Sequence, residues 1–596
     1  MDQQLPAPHS VDAAQRRAFL AHAGHSAVAL GLAALRTGAL PGGAMLASAV
    51  ASSWNNRASA ASMLAPTSPH SASPFLTLWD EALGASEIIG GLPFSKQWHG
   101  DWFGRSVLPF HSNESVGSGS PASEELLDVA IIGGGLSGLA VAHALEGARI
   151  GLFDLRPRLG GNAMGERWRG VPYSLGSAYF MVPDPGTAEE ALYLKLGVYQ
   201  HARVDPPAVT AFEFGGVLSD DPCAGCSNEE RARYDAYRAA LSYYANKAYP
   251  DIPITRESMT LVNELDQTDF RSAVRAAAGG VLPPLVEASL QAYCYSSFGV
   301  GWEQLSAAAG WNFVAAEEFG RLVLPGGNAG LAELLWNAIK HREGNKTQGN
   351  TAIARIGATV LSVEVIGDYT HIRWRDENGR ARVTKARHAV ICCPLHVARH
   401  ILPQLIERDL AKSEAMHAVH TVGYIVANVL LKKASTLKYY DLFTIHDKAF
   451  PATGDDCESD RRITDVVDGT FASDAARDAD VLTLYWPLPW HTARFTMIGD
   501  DDWRAYATLG AEQIERILSI TGVAASDVQQ IRLARFGHAM CFAPPGFYSS
   551  SAPKLLQRTL CGRIHFAHQD VSALPAWETC LAHALRVVDD IARAVS

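Results

Sequence analysis

The chain has 596 residues, 48% of them hydrophobic, which is enough for two or more packed domains with a large core. Its 51 lysines and arginines are outnumbered by 62 aspartates and glutamates, giving a net charge of −11 at pH 7. The sequence contains no long basic run, so it lacks the electrostatic signature of a nucleic-acid-binding protein. Acidity of this size favours solubility and is compatible with a cationic substrate.

Residues 1–60 differ in composition from the rest and predict an export signal and tail. Arg16 and Arg17 precede Phe19 and Leu20, a modest apolar run follows, and small residues cluster at 47–52. The RRxFL pattern resembles the twin-arginine signal, whose route carries folded proteins and predicts a periplasmic or secreted protein. The alternative is a disordered, alanine-rich tail with a chance arginine pair. We expect no stable membrane span elsewhere in the chain.

The rest of the chain divides into blocks of different pattern. Residues 61–125 predict a linker and a helical extension, in which stretches rich in serine, glycine and proline flank a helical segment that contains tryptophan. From residue 126 onwards, strand patterns recur in three separated blocks, with mostly helical or mixed patterns between them. We therefore assign residues 126–187, 322–405 and 549–596 to a cofactor-binding domain, and 188–321 and 406–548 to a substrate-binding domain.

The nine cysteines include one closely spaced pair, Cys223 and Cys226. No second pair or histidine cluster lies at zinc-ligand spacing, and no histidine follows Cys226 as c-type haem attachment requires, so we expect no metal site. A local disulfide and two loop thiols without a special role both remain compatible with this pair.

A nucleotide-binding fingerprint occupies the stretch DVAIIGGGLSGLAVAHAL, which starts at residue 128. The apolar run at 129–132 predicts a buried parallel strand, and a helix is expected over 139–145. Between them, Gly133 permits a tight turn, Gly135 lets the backbone approach a pyrophosphate, and Gly138 lets the helix pack on the strand. The amino end of that helix supplies free N–H groups for the phosphates. The pattern therefore predicts a bound dinucleotide.

The residues that follow identify the kind of dinucleotide. The next strand ends at Asp154, where a carboxylate can accept hydrogen bonds from both ribose hydroxyls. The continuation DLRPRLGGNA resembles the E-x-R-x-R-x-G-G-R pattern of the flavin-containing amine oxidase superfamily, through Arg156, Arg158 and the glycine pair at 160–161. Asn162 stands where that pattern has its last arginine. This resemblance implies FAD as the cofactor.

Later blocks resemble the same family in the same order. GVPYSLGSAYF is similar to its flavin-side turn through Gly176 and Tyr179, and the PGG at 325–327 is similar to a helix entry. ATVLSVEV resembles the strand that holds the adenine, with Val360 at that position, and FAHQD near the end resembles the closing F-A-G-E motif. The resemblance covers roughly residues 126–596.

The resemblance implies an α/β fold, with a discontinuous Rossmann-like FAD-binding domain of the glutathione-reductase type and an inserted mixed α+β substrate domain. The cofactor-binding residues that it implies are Gly133, Gly135, Leu136, Ser137, Gly138, Asp154, Leu155, Arg156, Gly160, Gly161, Asn162, Gly176, Val360, Gln569, Asp570 and Glu578.

The family often has two aromatic side chains on the substrate face of the flavin. Trp577 fits the later one, whereas the earlier position falls at Ala539, so Phe542 is the nearest aromatic candidate. We therefore predict Trp577 and Phe542 as catalytic residues. His538 and Cys541 lie near a position where some members attach flavin covalently, although core residues are the simpler interpretation.

The family also commonly carries a lysine that assists the reaction with oxygen. The aligned strand offers only Tyr424 and Ile425, with Lys432 and Lys433 beyond its end. Molecular oxygen and another electron acceptor therefore both remain open.

The leading hypothesis is an FAD-dependent amine oxidoreductase in which a substrate hydride passes to flavin N5. One alternative is an enzyme related to desaturases or protoporphyrinogen oxidases that acts on an apolar substrate. The other is a non-catalytic flavoprotein. The expected partner is a small molecule, and no nucleic acid is expected.

Overall fold

A computed structural model describes residues 78–79, 83–101, 126–205, 211–344, 353–446, 462–473 and 479–595. The export signal and tail predicted at residues 1–60 lie outside the described residues. None of the helices in these ranges is long and apolar enough to cross a bilayer.

One layer of the molecule is a seven-stranded sheet built around the strand Leu126–Ile132. That strand pairs in parallel with Ile150–Phe153 on one side and with Ala381–Ile391 on the other. Parallel strands inside a sheet are covered on both faces, which explains the unbroken apolar run at 129–132. The remaining strands are Ala354–Arg355, Thr359–Ile366, Tyr369–Arg375 and Ile564–Phe566.

Three helices cover the face of this sheet next to the glycine-rich turn. The helix Leu136–Ala144 packs against Asn328–Gly344 and Trp577–Val595. The first of these begins three residues earlier than predicted, because Gly135 adopts extended geometry as its N-cap and the helix follows at once. The α/β fold with a Rossmann-like FAD domain, predicted from the sequence, is confirmed.

The second layer is a ten-stranded sheet in the described residues. Its longest pairing is antiparallel, between His420–Leu431 and Val528–Phe542. The full order from one edge is Val217–Ser219, Ala211–Phe214, Asp441–His446, Asp465–Asp468, Asp480–Pro487, His420–Leu431, Val528–Phe542, Leu92–Ser95 and Ser86–Ile89, with His99–Gly100 also paired to Val528–Phe542.

The described residues also form two three-stranded sheets. One contains Leu78–Trp79, Gly165–Trp168 and Val171–Ser174, and the other contains Phe180–Met181, Arg203–Asp205 and Arg321–Val323. The remaining α-helices are Ala188–Leu196, Val198–His201, Asn228–Asn246, Met259–Leu265, Phe270–Ala278, Pro284–Phe298, Ala307–Ala316, Leu395–Ile401, Leu405–Arg408, Leu410–Ala418, Trp503–Ile520 and Ala552–Gln557.

The helical extension predicted before residue 126 is wrong where the structure describes that segment. Ser86–Ile89 and Leu92–Ser95 form an antiparallel hairpin. Gly90 and Gly91 both have positive φ, as a two-residue hairpin turn requires, and Leu92 and Phe94 are fully buried. The glycine pair and the alternating burial therefore indicate two strands rather than a helix.

The pair Cys223 and Cys226 forms a local disulfide. It lies in the loop before the long helix Asn228–Asn246, and Ser227 caps that helix through its side chain. Of the two alternatives left by the sequence, the structure therefore has the disulfide.

A buried polar network joins the strand Gly165–Trp168 to the ten-stranded sheet. Oε2 of Glu166 lies 2.5 Å from the Arg532 guanidinium and accepts a hydrogen bond from the hydroxyl of Tyr173 at 2.5 Å. His99 lies 3.2 Å from the other carboxylate oxygen. The side chains of the ion pair are 1% exposed, so neither charge has water to replace a lost partner.

We predict that Glu166→Gln destabilises the fold by about 3 kcal/mol or more, because it leaves the Arg532 guanidinium buried without its anion. Chemical unfolding of the holoprotein would measure the change. Lys433→Gln, which removes an exposed ion pair with Asp527, is the control and should leave stability unchanged. Equal, small effects of both substitutions would contradict this role for the network.

Candidate active site

A large cavity of about 1120 Å³ runs between the glycine-rich turn and the ten-stranded sheet in the described structure. Its wall contains most of the residues predicted to bind the cofactor: Gly133, Gly135, Leu136, Ser137, Asp154, Leu155, Arg156, Gly160, Gly161, Asn162, Gly176, Val360, Gln569 and Glu578. The fold therefore brings together segments that are more than 400 residues apart in the chain.

Gly138 and Asp570 are behind this wall. A Cβ atom on Gly138 would collide with the carbonyl oxygen of Gly133, so only glycine allows the helix to pack this closely on the strand. Asp570 is buried, accepts a hydrogen bond from the backbone N–H of Leu395 at 2.9 Å and pairs with His568 at 3.2 Å. Both residues support the wall, and His568 itself lies on it.

The glycine-rich turn has the geometry that a pyrophosphate requires. A Cβ atom placed on Gly135 would lie 3.5 Å from the Cα of Gly161, an ordinary van der Waals contact, and Gly135 itself lines the cavity. Gly135 caps the helix without a side-chain hydrogen bond, which leaves the first N–H groups of the helix for an anion.

Asp154 is held rigidly at the end of its strand. One carboxylate oxygen accepts from the N–H of Gly134 at 2.6 Å, and the other accepts from the N–H of Arg156 at 2.7 Å. Burial raises the pKa of Asp154, although the Arg156 charge and these two N–H donors act in the opposite direction. The N–H of Ala358 bonds to the Asp154 backbone oxygen at 2.8 Å, which places Val360 beside the same end of the cavity.

Further polar atoms on the wall are also suited to a bound group. In the described part of the chain, Asn328 Oδ1 and His396 Nδ1 are buried without a hydrogen-bond partner. The glycine-rich turn, the fixed acid and these atoms together fit an elongated dinucleotide such as FAD.

Trp577 and Phe542, the two residues predicted to be catalytic, differ in their position relative to the cavity. Trp577 contributes to the wall but is only 4% exposed, and its indole N–H donates to the Tyr193 hydroxyl at 2.8 Å. Phe542 packs against His420 and Trp490 and is not among the residues of the wall as described, so its contact with substrate stays a prediction. Ala539 does lie on the wall.

The structure also places the candidates for flavin attachment and oxygen activation. His538 is on the wall, where Arg494 donates to its Nδ1 at 3.1 Å, whereas Cys541 is buried and not on the wall. Burial, and next the Arg494 charge, lower the pKa of His538 well below its usual range, so it is neutral at pH 7. Lys432 and Lys433 bond to Ser526 and Asp527 at a strand end, and the described wall contains no lysine.

The sequence interpretation missed an acidic cluster at the substrate end of the cavity. Arg321 is buried among three carboxylates: its Nη1 lies 2.5 Å from Asp441, and its Nε lies 3.1 Å from Asp205 and 3.3 Å from Glu317. A fourth acid, Asp465, lies on the cavity wall and is close enough to Asp441 for their charges to interact. One guanidinium therefore contacts three carboxylates directly and has a fourth acid nearby.

Such a cluster must hold protons, since one positive charge cannot balance four buried negative charges. Burial and then the neighbouring Asp441 raise the pKa of Asp465 well above its usual range. Burial likewise raises the pKa of Glu317, and it raises that of Asp205 to about 6. The raised pKa of Asp465 favours its protonated, neutral form in the free protein.

Polar and aromatic groups surround Asp465. The hydroxyl of Ser296 donates to Asp465 Oδ2 at 2.9 Å. The rings of Tyr424 and Tyr485 also line the cavity, with their hydroxyls engaged by the backbone oxygens of Ser296 and Gly176. A signal for this site was present in the sequence, because TDVVD places an acid at each end of a short strand.

A second acidic pair lies near the last helix. Glu578 accepts from the N–H of Met181 at 2.8 Å, and Glu189 accepts from the Tyr193 hydroxyl at 2.6 Å. Burial, followed by the Glu578 charge, raises the pKa of Glu189 to about 8. Both acids line the cavity.

Comparisons with known proteins agree with this geometry. Residues 136–510 match the family described as flavin containing amine oxidoreductase. Over 289 residues the chain is 26% identical to nicotine dehydrogenase from Pseudomonas putida (strain DSM 28022 / S16); the match spans 46% of this chain and 54% of the relative.

Solved structures share the fold. Putrescine oxidase bound to putrescine is 14% identical, with a TM-score of 0.57, over 79% of this chain and 100% of that one. Cyclohexylamine oxidase from Brevibacterium oxydans IH-35A is 17% identical, with a TM-score of 0.55, over 79% and 99%. A protein from Exiguobacterium sp. 255-15 described as a protoporphyrinogen oxidase is 15% identical, with a TM-score of 0.54, over 79% and 99%.

The family match covers more than half of the chain and includes the helix that follows the glycine-rich turn. The glycine turn, the rigid acid and the cavity between two sheets agree with FAD as the cofactor. The chain therefore belongs to the flavin-containing amine oxidoreductase family.

Proposed function

We propose that this protein oxidises a small cationic amine with FAD. The observation that carries the proposal is the carboxyl of Asp465, which lies on the wall of the cofactor cavity beside three more acids and one guanidinium. FAD, when bound, supplies the acceptor for a hydride from the substrate. The cofactor would be held by the glycine turn at 133–138, Asp154 and Arg156.

The part of Asp465 in this proposal is to receive the substrate nitrogen. An alkylammonium group resembles a lysine side chain, so it enters positively charged at neutral pH. A positive charge within about 4–6 Å favours the ionised form of a carboxyl, so binding of the ammonium releases the proton that the free protein holds on Asp465. Ser296 keeps donating to Asp465 Oδ2 and fixes the direction of the other oxygen.

The surrounding wall would position the rest of the substrate. Tyr424, Tyr485 and Phe536 give that end of the cavity an aromatic surface. The tyrosine hydroxyls are already bonded to backbone oxygens, so their rings are fixed and present carbon rather than polar atoms. An apolar amine skeleton with one charged nitrogen matches this combination of surfaces.

The names of the similar proteins support the same substrate class. Nicotine, putrescine and cyclohexylamine are all amines. The protein described as a protoporphyrinogen oxidase corresponds to the alternative with an apolar substrate. The buried acid on the wall favours the amine, because an uncharged apolar substrate would gain no charge interaction from a carboxyl at this position.

The direct test is an anaerobic absorbance titration of the holoprotein with primary, secondary and tertiary amines. We expect at least one amine to bleach the flavin band. Return of colour in air within seconds would assign oxygen as the acceptor, and slow return would assign another acceptor. If no amine reduces the flavin but an apolar alkene precursor does, the desaturase alternative is correct; no reduction by either class would favour a non-catalytic flavoprotein.

Asp465→Asn should separate amine binding from cofactor binding. Asparagine keeps the shape and can still accept the Ser296 hydrogen bond but cannot ionise, so we expect at least a roughly tenfold weaker apparent affinity for the amine and unchanged FAD content. Stopped-flow flavin reduction measures the affinity. Glu318→Gln, which changes an acid paired with Arg238 away from the cavity wall, is the matched control and should behave like the wild type.

The pH dependence gives a second readout of the same proposal. Because the pKa of Asp465 is raised, the free protein holds a proton there that must leave when the ammonium binds. Amine affinity should therefore increase as pH rises through the neutral range, until the amine itself loses its proton. In Asp465→Asn this increase should disappear. A pH profile that is the same in both proteins would contradict a proton held by Asp465 in the free protein.

We also propose export of the folded protein by the twin-arginine route, on the basis of Arg16 and Arg17 ahead of an apolar run. Replacing both arginines with lysine should retain the flavin-loaded protein in the cytoplasm, as measured by cell fractionation and flavin fluorescence. Arg36→Lys, a third arginine of the same segment, serves as the control. Unchanged distribution of the double variant would favour a disordered tail.

A further inference from the structure

A segment ahead of the family match reaches the cofactor end of the cavity. The match begins at residue 136, whereas the described residues 83–101 precede it. The hairpin in this segment extends the ten-stranded sheet, and His99 and Gly100 then pair in parallel with Ala534 and Arg535. Asp101 follows directly and lies on the cavity wall.

The backbone of Asp101 is fixed from two sides. Its N–H donates to the carbonyl oxygen of Arg535 at 2.8 Å, and the Arg535 Nε donates to the Asp101 carbonyl at 3.2 Å. Gly100 has a φ of +80°, and a Cβ there would lie 2.6 Å from the Arg535 carbonyl oxygen. Only glycine therefore allows this close approach of the two strands.

Side chains also anchor the segment on both flanks. The indole N–H of Trp98 donates to the carbonyl oxygen of Gly499 at 3.0 Å, and the Arg535 guanidinium lies 5.3 Å from the centre of the Trp98 ring. The imidazole of His99 contacts buried Glu166 at 3.2 Å. The segment is thus docked on the fold, and the position of the Asp101 side chain is determined.

The Asp101 carboxylate connects the two layers of the molecule. One oxygen accepts from the N–H of Gly537, in the ten-stranded sheet, at 3.1 Å. The other forms an ion pair with Nη2 of Arg156, in the loop after the FAD-domain strand. Nη2 of Arg156 also lies 3.5 Å from Asn162 Oδ1, and both Arg156 and Asn162 line the cavity.

We propose that Asp101 is a positioning residue of the FAD site, which holds the Arg156 guanidinium at the cavity wall for the anionic cofactor. A free arginine side chain would have to be ordered when FAD binds, whereas Arg156 is ordered beforehand. The planar guanidinium has further N–H groups that remain for phosphate or ribose oxygens while one group contacts Asp101. The consequence is slower release of FAD.

The test is the rate at which FAD leaves the holoprotein, followed by the rise in flavin fluorescence after dilution. Asp101→Asn removes the charge and keeps the size, and we expect FAD release to become roughly tenfold faster. Glu87→Gln changes an acid on the same segment that pairs with Arg504 at the surface, and it should release FAD at the wild-type rate.

A double-variant cycle distinguishes positioning from a purely structural role. If Asp101 acts through Arg156, Asp101→Asn combined with Arg156→Gln should release FAD no faster than Arg156→Gln alone. The melting temperature of the apoprotein should be the same for Asp101→Asn and the wild type.

Three outcomes would each overturn the proposal. They are release of FAD from Asp101→Asn at the wild-type rate or slower, effects of the two substitutions that multiply independently, and a lowered melting temperature of the Asp101→Asn apoprotein. None of these readouts needs a substrate, so they are independent of whether the protein oxidises amines.

Discussion

The active-site cavity depends on the buried ion pair between Glu166 and Arg532, which joins the ten-stranded sheet to the strand Gly165–Trp168. Arg532 belongs to the long strand Val528–Phe542, and Glu166 belongs to a strand pair that continues toward the flavin-side turn at Gly176. The cost of desolvating this ion pair is offset by Tyr173 and His99, which bond to the Glu166 carboxylate. Through its contact with His99, the Glu166 carboxylate also anchors the segment that ends at Asp101.

Charge is distributed unevenly along the cavity in a way that matches an anionic cofactor and a cationic substrate. At the cofactor end, the glycine-rich turn, the helix amino end and Arg156 favour phosphate. At the other end, Asp465 and its neighbours hold more carboxyls than Arg321 can neutralise. Protons balance that excess until a cation arrives, so the same cluster can stay buried in the free protein and still respond to an amine.

Local sequence patterns predicted the cofactor end well because its parts are contiguous in the chain. The strand, glycine turn, helix and acid at 126–154 follow each other directly, and each has a characteristic residue type. The substrate end is assembled from strands and helices that are far apart in sequence, and side chains such as Asp441 and Asp465 meet only through strand pairing. Phe542 stays a prediction; it lies three residues from Ala539, and residues three apart in a regular strand point to opposite faces of the sheet. The helix predicted before residue 126 is a hairpin at 86–95, and the glycine pair of this hairpin is a turn signal.

The most direct test of this account is a crystal structure of the FAD-loaded protein, reduced and soaked with an amine that it oxidises. The account predicts the pyrophosphate of FAD over Gly135 and the amine nitrogen within hydrogen-bonding distance of the Asp465 carboxyl. An amine nitrogen bound away from Asp465, or a pyrophosphate away from the glycine turn, would contradict it.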